Sequence, residues 1–181
     1  MATSHPSRPY QPSLLRLLHA AVVLLVPLAW LSGVMVYSLY DGRWGRLPWQ
    51  PAGDWIDLQG TLGVLLWPLA ALFACYALTL GRVRLRQSAN AAALLGLALA
   101  VGSGKLMSED WLRDGDLDHV IYDLHLLAWL LIAAAVLWHG LALLRRGGSA
   151  LASSMFRLEV RSHDSPVQWP AQVLRWLRRP G

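Results

Sequence analysis

The sequence predicts an all-α protein, an integral membrane four-helix bundle with both termini cytoplasmic and a short basic C-terminal tail. Three observations carry that prediction. Four apolar segments are each long enough, at 1.5 Å per residue, to cross a hydrocarbon layer of ~30 Å. Hydrophobic residues make up 55% of the 181 and charged residues only 15%, far from the soluble average. The basic residues sort by connection rather than gathering in one patch.

The segments run at about Leu14–Tyr40, Ile56–Leu80, Ala89–Met107 and Val120–Leu144. The first is too long for the apolar region of a signal peptide, and no small-residue cleavage site follows it. Pro27 and Pro68 fall mid-span, where membrane helices tolerate proline. In the third, Gly102, Ser103, Gly104 and Lys105 erode the end. Residues 1–13 form an N-terminal segment, 14–146 the bundle, and 147–181 a tail. In the tail, "WPAQVLRWLRRP" reads in two ways. One is an interfacial helix offering Trp169, Leu174, Trp176 and Leu177 to the bilayer and arginines to lipid head groups. The other is a disordered basic end. The single Cys75 excludes an internal disulfide and reads as a small core residue.

Twelve of the sixteen Lys and Arg residues lie in the N-terminus, the second connection and the tail. The first and third connections carry only Arg43, Arg46, Lys105 and Arg113, with nine of the eleven acids. This places both termini in the cytoplasm and the first and third connections outside. It also accounts for a pI near 10.0 without nucleic acid as a partner. No charged residue falls mid-span, which argues against a transporter. No phosphate loop and no Ser–His–acid grouping points to hydrolysis.

The fourth segment contains "HLLAWLLIAAAVLWH", from His125 to His139, with no charge between. At ~100° per residue, fourteen steps bring the two histidines to nearly one face, ~21 Å apart along the axis. His139 sits at the inner depth and His125 at the outer. His19, about one turn into the first span, matches the depth of His139. A six-coordinate haem b needs two axial ligands from different elements, and His19 with His139 supplies them. At the outer level the residue opposite His125 is Gln59, a poor iron ligand. Three alternatives follow there: no haem, an unusually ligated haem, or a ligand from elsewhere. Gly33 shares the His19 face at outer depth, where a glycine leaves space for a cofactor edge. Arg16, Arg82 and Arg145 are candidates for haem propionates at the inner side, and the positive-inside bias alone also explains them. Lys105 could meet a quinone head group or an outer propionate, or snorkel and pair with Glu109.

"LLRLLHA" opening the first span, "GTLG" early in the second and H-x13-H in the fourth resemble the prokaryotic cytochrome b561 family. That group is related to the hydrogenase-type cytochrome b subunits. "SGKLMSEDWL" and "DLDHVIYDLHLLAWLL" look like cyanobacterial-type cytochrome b domain proteins. The resemblance covers about residues 10–146. It implies an inner haem between His19 and His139, and an outer haem between His125 and a second-span histidine, where this chain has Gln59. It implies electron exchange with quinone or a redox protein partner. It also implies a multi-pass place in a bacterial plasma membrane or a thylakoid, alone, as an oligomer or as a subunit of a larger complex. The competing expectation is a haem-free membrane scaffold that kept the fold.

Overall fold

The computed structural model describes residues 10–49, 51–108 and 116–178. Among these, every regular element is helical: α1 Ser13–Tyr40, α2 Trp55–Leu78, α3 Ser88–Met107, α4 Asp116–Ser154 and α5 Trp169–Leu177. Short 3-10 turns cover Arg82–Arg86, Ser162–Asp164 and Pro166–Gln168. The helices α1 to α4 are each long and apolar enough to cross a membrane. The N-terminal segment before Tyr10, and Glu109 and Arg113 of the third connection, lie outside the described residues.

The four long helices keep large apolar side chains on their outer surface. Leu24, Val64 and Leu137 are all more than 60% exposed. An apolar exterior of this extent suits lipid rather than water. The buried residues form a thin core instead. Ala70, Leu97 and Ile132 meet at mid-height, and Leu15, Leu18 and Tyr76 cluster at the end that carries both termini. Cys75 is exposed, not the core residue that its apolar surroundings suggest. An apolar neighbourhood in sequence marks the lipid face of a membrane helix as readily as the core.

The helices pair unevenly. The closest pairs are α3 with α4 and α1 with α2. A Cβ on Gly96 would come within 3.1 Å of the Ile132 backbone, so the small residue lets α3 and α4 approach. By contrast, α1 and α4 meet through long side chains rather than through close backbones.

Local rules explain most boundaries. Both Pro27 and Pro68 sit inside unbroken helices. Asp54 caps α2 by accepting from the Asp57 backbone N–H. The eroded end of α3 stays helical to Met107, with the Ser103 hydroxyl turned back onto the Leu99 carbonyl at 2.6 Å so that it is satisfied inside its own helix. At Gly148 the backbone takes φ 57° and ψ −154°, open in practice only to glycine, and the chain kinks there out of the fourth span.

After the kink the tail returns to the start of α1. Pro12 offers that helix no side-chain cap. The Asp164 carboxylate does so from the other end of the chain, accepting from the Ser13 backbone N–H at 2.6 Å and from the Tyr10 hydroxyl at 2.7 Å. The Trp169 indole donates to Ser13 Oγ at 2.9 Å. The tail is therefore folded, and its last helix occupies the segment that the sequence offers as an interfacial helix.

Candidate functional site

His19 on α1 and His139 on α4 face each other near the end of the bundle that carries both termini. Their ring centroids are 6.3 Å apart and the planes are inclined at 49°. Phe73 of α2 stands edge-on to His19, also at 6.3 Å. Both Nδ1 atoms are buried without a hydrogen-bond partner. Leaving such a group unpaired costs about 1–3 kcal/mol, so two of them side by side form an unsatisfied polar pair. A metal–imidazole bond of about 2 Å on each side spans a separation of this size. The two histidines thus fit an iron held between α1 and α4, and the wide spacing of those helices suits a flat group between them.

Arg16, one turn before His19, is buried. Its Nη1 donates to the Arg157 carbonyl and its Nη2 to the Glu159 carbonyl, the latter at 2.7 Å. Only Nε lacks a partner. The guanidinium that the sequence offers to a haem propionate is here the clamp that holds the returning tail.

At the opposite level the sequence-predicted residues also come together. His125 Nδ1 lies 2.9 Å from Ser103 Oγ. Gln59 Oε1 accepts from the Ser32 hydroxyl. Beside them is a cavity of about 530 Å³ between the four spans, walled by Gln59, His125, Lys105 and the indoles of Trp30, Trp67 and Trp129. Lys105 Nζ donates to Ser108 Oγ at 3.4 Å. Gly33 lies against this region, but the groups over it are the Trp129 indole and the Gln59 amide, 3.5 and 3.7 Å from where a Cβ would stand. No second imidazole faces His125 here among the described residues.

Between the two levels lies a contact that sequence reasoning missed. The Trp30 and Trp129 rings stack at 4.5 Å with planes only 4° apart. Each indole N–H donates to the other residue's carbonyl, at 3.3 and 3.2 Å. Trp30 is eleven residues after His19, three turns plus ~20°, so its place on the His19 face was readable from the spacing. A third bridge joins the far ends of α1 and α4. Arg43 pairs with Asp41 at 2.8 Å and with Asp123 at 2.9 Å, and the Tyr122 hydroxyl donates to Asp41.

Comparison with family models, with curated proteins and with solved structures finds no match to this chain.

Proposed function

We propose that this chain is a membrane electron-transfer protein that holds one haem b through His19 and His139 and exchanges electrons with quinone or a redox protein partner. The observation that supports it is the convergence of two buried imidazoles from different spans, each with an unpartnered Nδ1. This is the function implied by the resemblance to the prokaryotic cytochrome b561 family, and His19 and His139 are the residues that resemblance assigns to the inner haem.

A bound haem would supply a reversible one-electron couple, and His19 and His139 are the residues that would hold its iron. The chain's residues do the rest. The two histidines fix the group between α1 and α4. Phe73 and the apolar walls exclude water. The Trp30–Trp129 pair keeps the two ligand helices at a set distance. The basic residues sort the spans so that both termini and the haem level face the cytoplasm, in a bacterial plasma membrane or a thylakoid.

Electron paramagnetic resonance of the oxidised protein tests the assignment. Wild type is expected to show the low-spin ferric signal of two imidazole ligands. His19→Ala and His139→Ala are each expected to lose it. A low-spin signal that survives both substitutions would overturn the assignment.

A further inference from the structure

The tail past the kink at Gly148 has a surface that the proposed haem site does not use. It carries five arginines against two acids, Glu159 and Asp164. Asp164 is spent inside the protein, on Ser13 and Tyr10. The outward charge of the tail is therefore positive.

Its last helix, α5, sorts its residues by angle. At ~100° per residue, with Trp169 at zero, Gln172 stands at ~300°, and Val173, Leu177 and Leu174 at ~40°, ~80° and ~140°. Arg178 follows at ~180° and Arg175 at ~240°. Trp169 and Gln172 face the protein. The indole donates to Ser13 Oγ at 2.9 Å, and the Gln172 amide to the Asp164 carboxylate at 3.4 Å. The next arc is apolar and bare: Val173, Leu174 and Leu177 are 41%, 51% and 63% exposed. The two arginines, both exposed, complete the circle. A helix in water gains nothing from such an arc, whereas one at a lipid boundary buries it.

The level of α5 is set by the same contact. Ser13 is the first residue of α1, which is long and apolar enough to cross a membrane. Trp169 is thus held where the first span meets the head groups, a depth that suits an indole. At 1.5 Å per residue, all of α5 stays within ~12 Å of that depth. Head-group charge is felt over ~10 Å at 0.1 M salt, so the long arginine side chains stand within its reach.

We propose that α5 binds anionic phospholipid, and that the head groups of the chain's own membrane hold the tail against the start of α1. Val173, Leu174 and Leu177 enter the acyl boundary, and Arg175 and Arg178 pair with head groups of net negative charge. The guanidinium fork suits phosphate oxygens. A zwitterionic head group offers the same phosphate but neutralises it with its own cation, so the surface selects lipid by net charge. The lipid is then a third hold on the tail, beside Asp164 and Arg16.

The test uses the full chain in nanodiscs of phosphatidylcholine, with or without about one third phosphatidylglycerol. A nitroxide is attached at Val173→Cys or, on the arginine side at ~200°, at Ala171→Cys. The background is Cys75→Ser, which removes the single native thiol. Collision with oxygen reports lipid, and collision with a water-soluble nickel chelate reports water. With phosphatidylglycerol, the Val173→Cys label is expected to meet oxygen and not the chelate, while the Ala171→Cys label still meets the chelate. In phosphatidylcholine alone, or in ~1 M salt where screening acts within ~3 Å, both labels meet the chelate. Arg175→Gln combined with Arg178→Gln is expected to lower the ratio of inserted to solvated tail in anionic discs about thirtyfold. A Val173→Cys label open to the chelate in both kinds of disc would overturn the proposal. So would insertion that ignores lipid charge or the two arginines. A label shut off from both probes in both kinds of disc would mean that protein, such as a second copy of the chain, covers the face, and would overturn it too. The readout is local to the tail, so none of these outcomes bears on the haem between His19 and His139.

Discussion

Asp164 caps the N-terminus of α1 from 151 residues further along the chain, taking the Ser13 backbone N–H at 2.6 Å. The same carboxylate accepts from the Tyr10 hydroxyl, and Arg16 grips two tail carbonyls beside it. The segment past the fourth span is thereby tied to the helix that carries His19.

Removing that carboxylate should release the tail. Asp164→Ala leaves the first N–H groups of α1 without a side-chain acceptor and breaks the contact to Tyr10. A loss of about 1–3 kcal/mol is expected. Limited trypsin digestion reads it directly, because Arg157 and Arg161 lie in the docked stretch. Cleavage there should be several-fold faster in the variant, with the four long helices still protected.

The tail contact should also weaken in acid. Burial alone would raise the Asp164 carboxyl, but the hydrogen bonds from Tyr10, Ser13 and Gln172 outweigh it and hold the group below the usual carboxylate range. A lowered folded value means that its contribution is complete above the unfolded value, ~3.9, and is lost as pH falls through the folded one. The difference in thermal midpoint between wild type and Asp164→Asn should be widest near neutrality and should shrink below pH ~4.

Trp30→Phe keeps a ring in the stack but removes one of the two indole N–H donors to the facing backbone. The near-UV circular dichroism of the stacked pair should fall sharply, since two parallel indoles 4.5 Å apart couple strongly. Stability should drop by about 1 kcal/mol for the lost hydrogen bond. Trp30→Ala, which also leaves a cavity, should cost about 3–5 kcal/mol.

Much of the bundle was legible because membrane spans are written in simple terms. Length and apolar content alone placed Leu14–Tyr40 and Ala89–Met107 within one residue of α1 and α3. Helical spacing alone put His19 at the depth of His139, and the rings do meet. The tail was less legible. Nothing in the spacing of Asp164 or Arg16 announces a partner 150 residues away, and a basic, Pro-rich stretch reads equally well as disorder. The outer level was legible only in part. His125 and Gln59 were both picked out, but their hydrogen-bond partners, Ser103 and Ser32, are small hydroxyls of a kind that most membrane helices contain. Gly33 was picked out for the space a glycine leaves, and the sequence could not show that an indole and an amide lie within ordinary contact distance over it.

The most direct test of the central claim is the ratio of haem b to protein, from reduced pyridine haemochrome on detergent-purified chain expressed with ample haem. The account predicts about one haem per chain, unaffected by His125→Phe and lost in His139→Ala. A ratio near zero in wild type would contradict haem binding altogether, and a ratio near two would contradict the single site between His19 and His139.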